Sequence, residues 1–341
     1  MPIQWFPGHM HATKKTILDR MKGIDVVIEM LDACLPGSSS NPLLAELTQG
    51  KPALKVLNKQ DLADADRTAL WLSHFQALPD TRALALDARA GTPVQHIVDA
   101  CRLLAPSRGG MVKPLRVLIC GIPNVGKSTV INSLAGRSAA KTGDEPGITK
   151  NEQKIVLASD VYLYDTPGML WPRILVEESG LHLAASGAVG RNAFDDEEVA
   201  LALIATLERD YPGRLEARYA ARRAGAAPIA VSASGADATA TAADAQTPDQ
   251  RLADIGRRRG GVLPGGRVNL QKAAEIVLND FRQGMLGRIT LETPKQYAVW
   301  LAAALVREDE RKARLKGRTR RAATAGSRDP RLDPEPPEPA T

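Results

Sequence analysis

Cysteine, aromatic residues and long apolar runs are all scarce in this chain of 341 residues. Its three cysteines, Cys34, Cys101 and Cys120, lack CxxC or CxH spacing, so neither a disulfide framework nor a zinc site is supported. No segment approaches the ~18 apolar residues of a membrane span, and the N-terminus has no cationic-then-apolar signal. The sequence therefore predicts a reduced, cytoplasmic protein with no membrane partner.

Positive charge is in mild excess. The chain has 45 Lys and Arg against 39 Asp and Glu, which gives a net charge of +6 and a pI near 9.3. This balance suggests a polyanionic partner without identifying it. A mass of 36.5 kDa allows two domains with a sizeable core.

Short apolar segments alternate with helical stretches between residues 24 and about 172. We expect strands at residues 25–31, 53–57, 82–86, 115–120 and 161–164. Such alternation is typical of a mostly parallel sheet with helices on both faces. The predicted fold class is therefore α/β, followed by a smaller all-α C-terminal domain.

Composition divides the chain into four regions. We expect a basic arm at 1–22, helical from about residue 11, then the α/β domain at 23–175 and a helical domain at 176–292. An Ala/Thr/Ser/Asp-rich stretch at 224–250 is expected to be a flexible insertion in the helical domain. The charged residues 293–341, rich in proline at the end, are expected to form a disordered tail.

The strongest local motif is a phosphate loop, GIPNVGKS at residues 121–128. It follows an apolar strand and opens a helix, so that backbone N–H groups can cradle phosphates. Lys127 would reach the β- and γ-phosphates, and Ser128 would bind Mg²⁺. The nucleotide-binding residues predicted here are Asn124, Val125, Gly126, Lys127, Ser128 and Thr129.

The motif at 58–61, with the sequence NKQD, selects guanine over adenine. Its carboxylate, Asp61, can accept both the ring N–H and the exocyclic amine of guanine. We expect Asn58 and Lys59 to bind nucleotide with it. A companion base loop is expected at residues 87–89, with the Ala88 N–H on the guanine oxygen.

Two further motifs complete a GTP site. The sequence PGIT at 146–149 is the candidate magnesium loop, with Thr149 as a nucleotide and Mg²⁺ ligand. In DTPG at 165–168, Asp165 would support Mg²⁺ through water and Gly168 would offer its N–H to the γ-phosphate. Lys127 and Gly168 are therefore predicted to act in catalysis.

The order of these motifs is unusual. In an ordinary Ras-like domain the NKxD element follows the phosphate loop, but here it precedes it. A circularly permuted GTPase fold accommodates all four motifs.

Met169 stands where Ras-like enzymes place a water-orienting glutamine, so intrinsic hydrolysis is expected to be slow. Asn124 suggests a compensation, because its side-chain oxygen could hold a K⁺ that supplies positive charge. A purely loop-stabilising role for Asn124 is the alternative.

With QWFPGHM at 4–10 in front and DTPGMLWP at 165–172 behind, the motif order resembles the ribosome biogenesis GTPase A family. The resemblance covers most of residues 3–292 and includes SSNP at 39–42, AKTG at 140–143 and LGR at 286–288. It implies assistance in late maturation of the large ribosomal subunit and a helical C-terminal domain that contacts ribosomal RNA. It also implies K⁺-stimulated hydrolysis, activation by the ribosomal particle and a catalytic role for His9.

On its own chemistry, His9 could orient the attacking water, or it could simply lie at the edge of a packed N-terminal arm. No constellation is recognisable around His11, His74, His96 or His182. The chain also departs from the family pattern, with Cys34 in place of an arginine and Asp87 in place of a serine. The 224–250 insertion and the chain beyond Pro294 match nothing in that pattern.

Basic clusters favour RNA as the polyanion. They lie at 257–259 and at 307–321, the latter with eight basic and three acidic residues. Solvated charged faces are the alternative interpretation. Neither an RRM-like aromatic motif nor a KH-like GXXG element is present there, which favours shape and phosphate contacts over sequence readout.

The leading hypothesis is a GTP-hydrolysing assembly factor that binds immature large subunits in the GTP state and leaves after hydrolysis. It would act as a monomer that binds GTP or GDP, Mg²⁺ and K⁺. The alternative is an RNA-binding placeholder whose nucleotide tunes affinity with negligible turnover. A permuted GTPase of the small subunit or a P-loop kinase fits less well, since the chain lacks the expected extra module and a kinase would leave NKxD unexplained.

Overall fold

The computed structural model describes residues 9–88, 95–110, 112–136, 153–220 and 246–326. Within them, six strands form one sheet in the order β3-β2-β1-β4-β6-β5. The strands are β1 (Val26–Asp32), β2 (Ala53–Asn58), β3 (Thr81–Ala85), β4 (Leu115–Gly121), β5 (Gln153–Ala158) and β6 (Val161–Asp165). The first four and β6 run parallel, and β5 pairs antiparallel with β6 at an edge.

The sheet confirms the predicted fold class. All five predicted strands are present, and β5 is an addition. The NKxD strand β2 precedes the phosphate-loop strand β4 in the chain, yet only β1 separates the two in the sheet. The carboxyl ends of the parallel strands therefore gather all the described motifs at one edge, as a circular permutation requires.

Burial on both faces explains the apolar sequence of the central strands. Every residue of β1 is buried, including the acidic Glu29 and Asp32. Glu29 is satisfied by the Asn41 N–H at 3.0 Å and by an ion pair with Lys55. Burial of a carboxylate is costly when it has no hydrogen-bond or ion-pair partner, and these partners reduce that cost.

In the part of the chain that the structure describes, six helices accompany the sheet: α1 (His9–Met21), α2 (Pro36–Ser39), α3 (Pro42–Leu47), α4 (Ala65–Gln76), α5 (Gln95–Leu104) and α6 (Lys127–Ala135). The basic arm predicted to be helical forms most of α1, which is attached through the buried side chains of Ile17 and Met21. Asn41 caps α3 and Asp64 caps α4, each with a side chain that accepts from N–H groups of the first turn.

The described chain after the sheet is helical, as predicted. It contains α7 (Glu177–Ser186), a 3₁₀ turn (Arg191–Ala193), α8 (Asp196–Asp210), α9 (Arg214–Tyr219), α10 (Pro248–Arg258) and α11 (Leu270–Arg282). Helices α7, α8, α10 and α11 pack together around a core that includes Leu203, Leu252 and Val277. None of the helices in the described ranges is both long and apolar enough to cross a membrane.

Two boundaries differ from the prediction. The insertion expected at 224–250 ends earlier, because Thr247 forms a capping box and α10 begins at Pro248. Residues 221–245 lie outside the described residues.

The tail expected to be disordered is also different. Residues Pro294–Gly326 form a single helix, α12, whereas 327–341 lie outside the described residues. Tertiary packing stabilises the first turns of α12: Tyr297 lies against Trp71 with ring centroids 6.0 Å apart, and Ala304 is buried. The high charge of the segment concealed these anchoring positions in the sequence.

Candidate nucleotide-binding site

Four loops meet at the carboxyl edge of the sheet. The phosphate loop leaves β4 at Gly121, the NKxD loop leaves β2 at Asn58, and the chain from Leu86 to Ala88 follows β3. The DTPG loop begins at the end of β6. Strand pairing thus places the predicted phosphate, base and metal residues side by side.

The phosphate loop depends on glycines. Gly126, the N-cap of α6, has a positive φ of 89°, and a Cβ there would lie 2.2 Å from the Asn58 amide nitrogen. A Cβ at Gly121 would lie 2.8 Å from the Met30 carbonyl oxygen. Only glycine fits both positions. The loop therefore delivers the N–H groups of Lys127, Ser128 and Thr129 at the positive end of α6.

Asn58 ties the base side to the phosphate side. Its side-chain nitrogen donates to the Val125 carbonyl at 2.8 Å, and its side-chain oxygen accepts from the Ala88 N–H at 3.2 Å. One buried amide thus fixes the spacing between three loops. The Ala88 N–H, predicted to meet the guanine oxygen, would have to share or exchange this bond; its base contact stays a prediction.

Lys59 and Asp61 occupy different environments. Lys59 has a positive φ of 64°, and its ammonium lies 2.6 Å from the carboxylate of Asp32 at the end of β1. Asp32 also accepts from the Cys34 N–H at 2.9 Å, which holds the carboxylate in place. Asp61 is exposed, as a carboxylate that receives a base must be. Asp61, which the sequence predicts to read guanine, is therefore accessible, whereas Lys59 is anchored to Asp32.

Lys127 and Asp165 form a buried ion pair at the phosphate side. The Lys127 ammonium contacts Asp165 Oδ1, and the two side chains are 6% and 0% exposed. Burial raises the pKa of Asp165, although the positive charge of Lys127 opposes the rise. Asp165 Oδ2 is buried and has no hydrogen-bond partner among the described residues.

This orphaned oxygen fits the predicted magnesium ligation. A buried carboxylate oxygen without a partner is costly, and water held by Mg²⁺ would satisfy it. Ser128, in the first turn of α6, supplies a hydroxyl on the same loop. Ser128 and Asp165 would hold a bound Mg²⁺, which would supply positive charge beside the phosphates. Thr149 and the rest of the predicted magnesium loop lie outside the described residues.

Gly168 and Met169 are held tightly against the phosphate loop. A Cβ on Gly168 would lie 3.0 Å from Pro123 Cα, so the loops approach closely. Met169 donates its N–H to the Gly121 carbonyl at 3.0 Å and accepts from the Asn41 side chain at 2.7 Å. Its side chain is buried. Met169 is therefore a core residue, consistent with the prediction that it does not orient water.

The structure says less about the roles predicted for Asn124 and His9. Asn124 has a positive φ of 58°, and its side-chain nitrogen donates to the Gly187 carbonyl at 2.8 Å. A K⁺ contact would therefore fall to its amide oxygen. His9 begins α1, but its side chain lies outside the described residues. Both assigned roles stay predictions.

The segment after α11 reaches the guanine side, which no sequence pattern predicted. Arg288 donates to the Gln60 carbonyl inside the NKxD loop at 2.9 Å, and the Ile289 N–H donates to the Leu62 carbonyl at 2.8 Å. Further along, the Leu291 N–H donates to the Cys34 carbonyl at 2.7 Å. In the sequence, LGR at 286–288 indicates only a likeness to the family pattern. Its position shows that the C-terminal part braces the base loop.

Cys34 is a structural residue here. It replaces the arginine of the family pattern, and its side chain is buried beneath that same segment. Burial, reinforced by the nearby charge of Asp32, raises the pKa of the Cys34 thiol well above its usual range. The thiol is thus protonated and unreactive at neutral pH.

A buried polar cluster joins α2, α7 and the chain before α12. Glu292 accepts from the Ser38 N–H at 2.6 Å and from the Ser38 hydroxyl, and it lies 2.9 Å from His182 Nδ1. The Ser38 hydroxyl also contacts Ser179 at 3.0 Å. His182, which showed no partner in the sequence, finds them only through the fold. Its position deep in the interior makes this cluster a brace between the sheet and the helices.

Comparison with known proteins decides the family. A family model described as "50S ribosome-binding GTPase" matches residues 116–223. Ribosome biogenesis GTPase A of Bacillus cereus is 38% identical over 307 residues, covering 87% of this chain and 96% of that protein.

The chain belongs to the ribosome biogenesis GTPase A family.

More distant relatives and solved structures agree. Mitochondrial ribosome-associated GTPase 1 of Mus musculus is 36% identical over 218 residues, covering 60% of this chain and 67% of that protein. A GDP-bound structure of YlqF covers 82% of this chain and 99% of its own, with a TM-score of 0.56 and 23% identity. A GNP-bound YlqF from T. maritima has a TM-score of 0.53 at 24% identity, covering 83% of this chain and 98% of its own.

Family membership settles the enzymatic activity. The chain is a GTPase of ribosome biogenesis. The roles assigned to Lys127 for phosphate, Asp61 for guanine, and Ser128 with Asp165 for Mg²⁺ stay predictions.

Proposed function

We propose that this GTPase binds immature large ribosomal subunits in its GTP state, contacts their ribosomal RNA and leaves after hydrolysis. The observation that carries the proposal is the junction made by Asn58, which couples the guanine loops to the phosphate loop. Through this junction, the loops that bind the base and the loop that binds the phosphates would respond together to the bound nucleotide. The names of the family model and of the relatives support the ribosomal partner.

A route from the phosphate loop to the helical part supports a nucleotide-dependent partner. Asn124 donates to the carbonyl of Gly187, which caps α7. Arg282 of α11 donates to the carbonyls of Ala184 and Ala185 near the same helix end, at 2.9 and 2.7 Å. A displacement of the phosphate loop would therefore be transmitted through these hydrogen bonds to α7 and α11.

Hydrolysis in this proposal needs help from outside the described site. Because Met169 is buried, no side chain takes the place of the water-orienting glutamine at that position. We assign water orientation to His9 when α1 is docked on the particle, and charge compensation to a K⁺ at Asn124. The role of Lys127 is to stabilise the charge that develops on the transferred phosphoryl group.

The test is GTP hydrolysis in K⁺ and in Na⁺ buffer, with and without purified large subunits. We expect stimulation by both, and loss of the subunit-dependent part in His9→Ala while subunit binding persists. His96→Ala, an exposed histidine on α5, is the matched control and should behave as wild type.

The buried Met169 also favours one alternative, a nucleotide-tuned RNA-binding placeholder. GTP-dependent subunit binding without any increase in rate would support this placeholder and refute the hydrolytic cycle. A small-subunit preference would refute the proposed partner. Sedimentation of the free protein checks the proposed monomeric state.

A further inference from the structure

Helix α12 is anchored through its first turns and is exposed over residues 309–315. Its 33 residues span about 50 Å at 1.5 Å per residue. Trp300 lies against His182 with ring centroids 5.7 Å apart, and Glu308 is buried with the Arg173 guanidinium 2.6 Å away. All residues from 309 to 315 are exposed. The helix is therefore solvent-exposed on all its faces over residues 309–315.

Positive charge is concentrated on the second half of α12. Residues 309–326 contain seven basic and two acidic residues, and both acids stand at its start. The described acids are already engaged near the anchor, where Glu308 pairs with Arg311 at 2.7 Å and Glu310 with Arg314 at 3.4 Å. The pair between Glu310 and Arg314 is exposed, and exposed ion pairs contribute little to stability. The excess charge lies toward the C-terminal end of α12.

The helical register sorts these basic positions into two rows. At 100° per residue, Arg307, Arg311, Arg314, Arg318 and Arg321 fall within a sector about 80° wide and about 21 Å long. We call these five positions the arginine row. Lys312, Lys316 and Arg320 fall on a different sector. Arginine alone occupies the first row, and its guanidinium matches phosphate geometry better than an ammonium does.

Composition selects the kind of polyanion. Residues 309–326 contain no aromatic residue, so they offer no platform for stacking unpaired bases. They include a single large apolar residue, Leu315, whereas a helix that lies in a membrane surface needs an apolar face. The polyanion that best matches this composition is the phosphate backbone of structured RNA, which is recognised by shape and charge.

We propose that the arginine row of α12 is an RNA-binding surface of this chain, which grips the phosphate backbone of double-helical RNA on the ribosomal particle. The inference rests on the proposed function for the identity of the particle. It adds a contact outside the GTPase and helical regions, because the family resemblance ends near residue 292.

The experiment compares two triple variants in the full-length protein. One is Arg314→Gln, Arg318→Gln and Arg321→Gln, from the arginine row. The matched control is Lys312→Gln, Lys316→Gln and Arg320→Gln, which removes the same charge from the other sector. None of these residues belongs to the nucleotide site, so basal GTP hydrolysis and melting temperature should stay at wild-type values in both.

Affinity is measured over a series of KCl concentrations, for purified large subunits and for a generic RNA duplex. We expect the row variant to weaken both interactions about tenfold or more, and to reduce the slope of log K against log salt by about two to three. The control should change them much less. Wild-type affinity and slope in the row variant would overturn the proposal, as would equal losses in the two variants.

Two further outcomes separate this inference from the proposed function. If the wild type binds the duplex through the row but fails to bind large subunits, the ribosomal partner is refuted while the RNA surface stands. Row-dependent binding to phosphatidylserine vesicles without binding to RNA would refute the RNA assignment and point to a membrane.

Discussion

A single side chain, Asn58, sets the distance between the guanine and phosphate ends of the nucleotide site. Its amide donates to Val125 and accepts from Ala88, and a Cβ added at Gly126 would lie 2.2 Å from its nitrogen. The residue type could be read from the NKxD pattern, but the two hydrogen bonds of its side chain could not. It depends on β2 and β4 being separated by a single strand, which is a property of the sheet.

Gly126→Ala should disrupt this junction. The new methyl group would overlap the Asn58 nitrogen, and the alanine would have to adopt the positive φ of Gly126. We therefore expect a loss of GTP affinity of at least tenfold. Titration with a fluorescent GTP analogue measures it. Gly136→Ala is the control, because Gly136 also has a positive φ, of 61°, but a Cβ there meets nothing within 4 Å. Equal losses in the two variants would show that backbone strain, rather than the contact with Asn58, is responsible.

Asp61→Asn should change the base that is recognised. The variant amide can no longer accept two guanine N–H groups, so GTP affinity should fall by about two orders of magnitude or more. The same amide can donate to the added oxygen of xanthine, so XTP should bind better than GTP. Competition binding with both nucleotides checks this. Unchanged GTP affinity would remove Asp61 from the base site.

At the scale of elements, short segments from distant parts of the chain hold one another. Helix α2, helix α7 and the segment before α12 meet at Ser38, Ser179, His182 and Glu292. The strands and most helices follow from apolar periodicity. This cluster does not, because its members are ordinary polar residues until the fold buries them together.

Glu292→Gln should destabilise the protein by about 2 kcal/mol, because a fully buried carboxylate loses charge-assisted bonds to Ser38. Urea unfolding gives the free energy. Ser73→Ala, an exposed serine of α4, should leave stability unchanged. A Glu292→Gln protein as stable as wild type would mean that the cluster contributes specificity rather than stability.

The contact between α9 and α11 should make stability depend on acidic pH. Burial alone would raise the pKa of Asp280, but hydrogen bonds from Arg218, at 2.8 Å, and Tyr219 outweigh it and lower the pKa. This stabilisation is fully present above the unfolded-state pKa and is lost as pH falls through the lower folded-state pKa.

Asp280→Asn tests that dependence. The difference in unfolding free energy between wild type and variant should be about 2 kcal/mol near neutral pH and should shrink below about pH 4. Urea titrations from pH 3 to 7 measure it. Glu275→Gln, an exposed substitution on the same helix, should show no comparable difference. A pH-independent difference for Asp280→Asn would rule out the ion pair as its source.

Other elements show where sequence reasoning reaches its limit. The edge strand β5 was missed because one of its central residues, Val156, is exposed and its alternation is short. The tail was assigned to disorder on its charge, yet Tyr297, Trp300 and Ala304 anchor α12. In both cases tertiary pairing outweighed local composition.

At the scale of the whole molecule, α12 combines packed first turns with an exposed stretch at residues 309–315. Removal of everything after residue 293 should lower the melting temperature by several degrees, because Tyr297 leaves Trp71 and Trp300 leaves His182. Removal after residue 315 should leave it unchanged, since the truncated protein keeps the anchors Tyr297, Trp300 and Ala304. Differential scanning calorimetry of the two truncations decides it. Equal melting temperatures would mean that the first turns of α12 contribute no stability.

The bond between Ser38 and Glu292 spans 254 positions of the chain. Closing so long a loop costs conformational entropy, which opposes early formation of this contact. During synthesis the NKxD loop emerges well before Arg288 and Ile289, which bond to its Gln60 and to the nearby Leu62. A nascent chain therefore completes these braces only after residue 292 has left the translating ribosome.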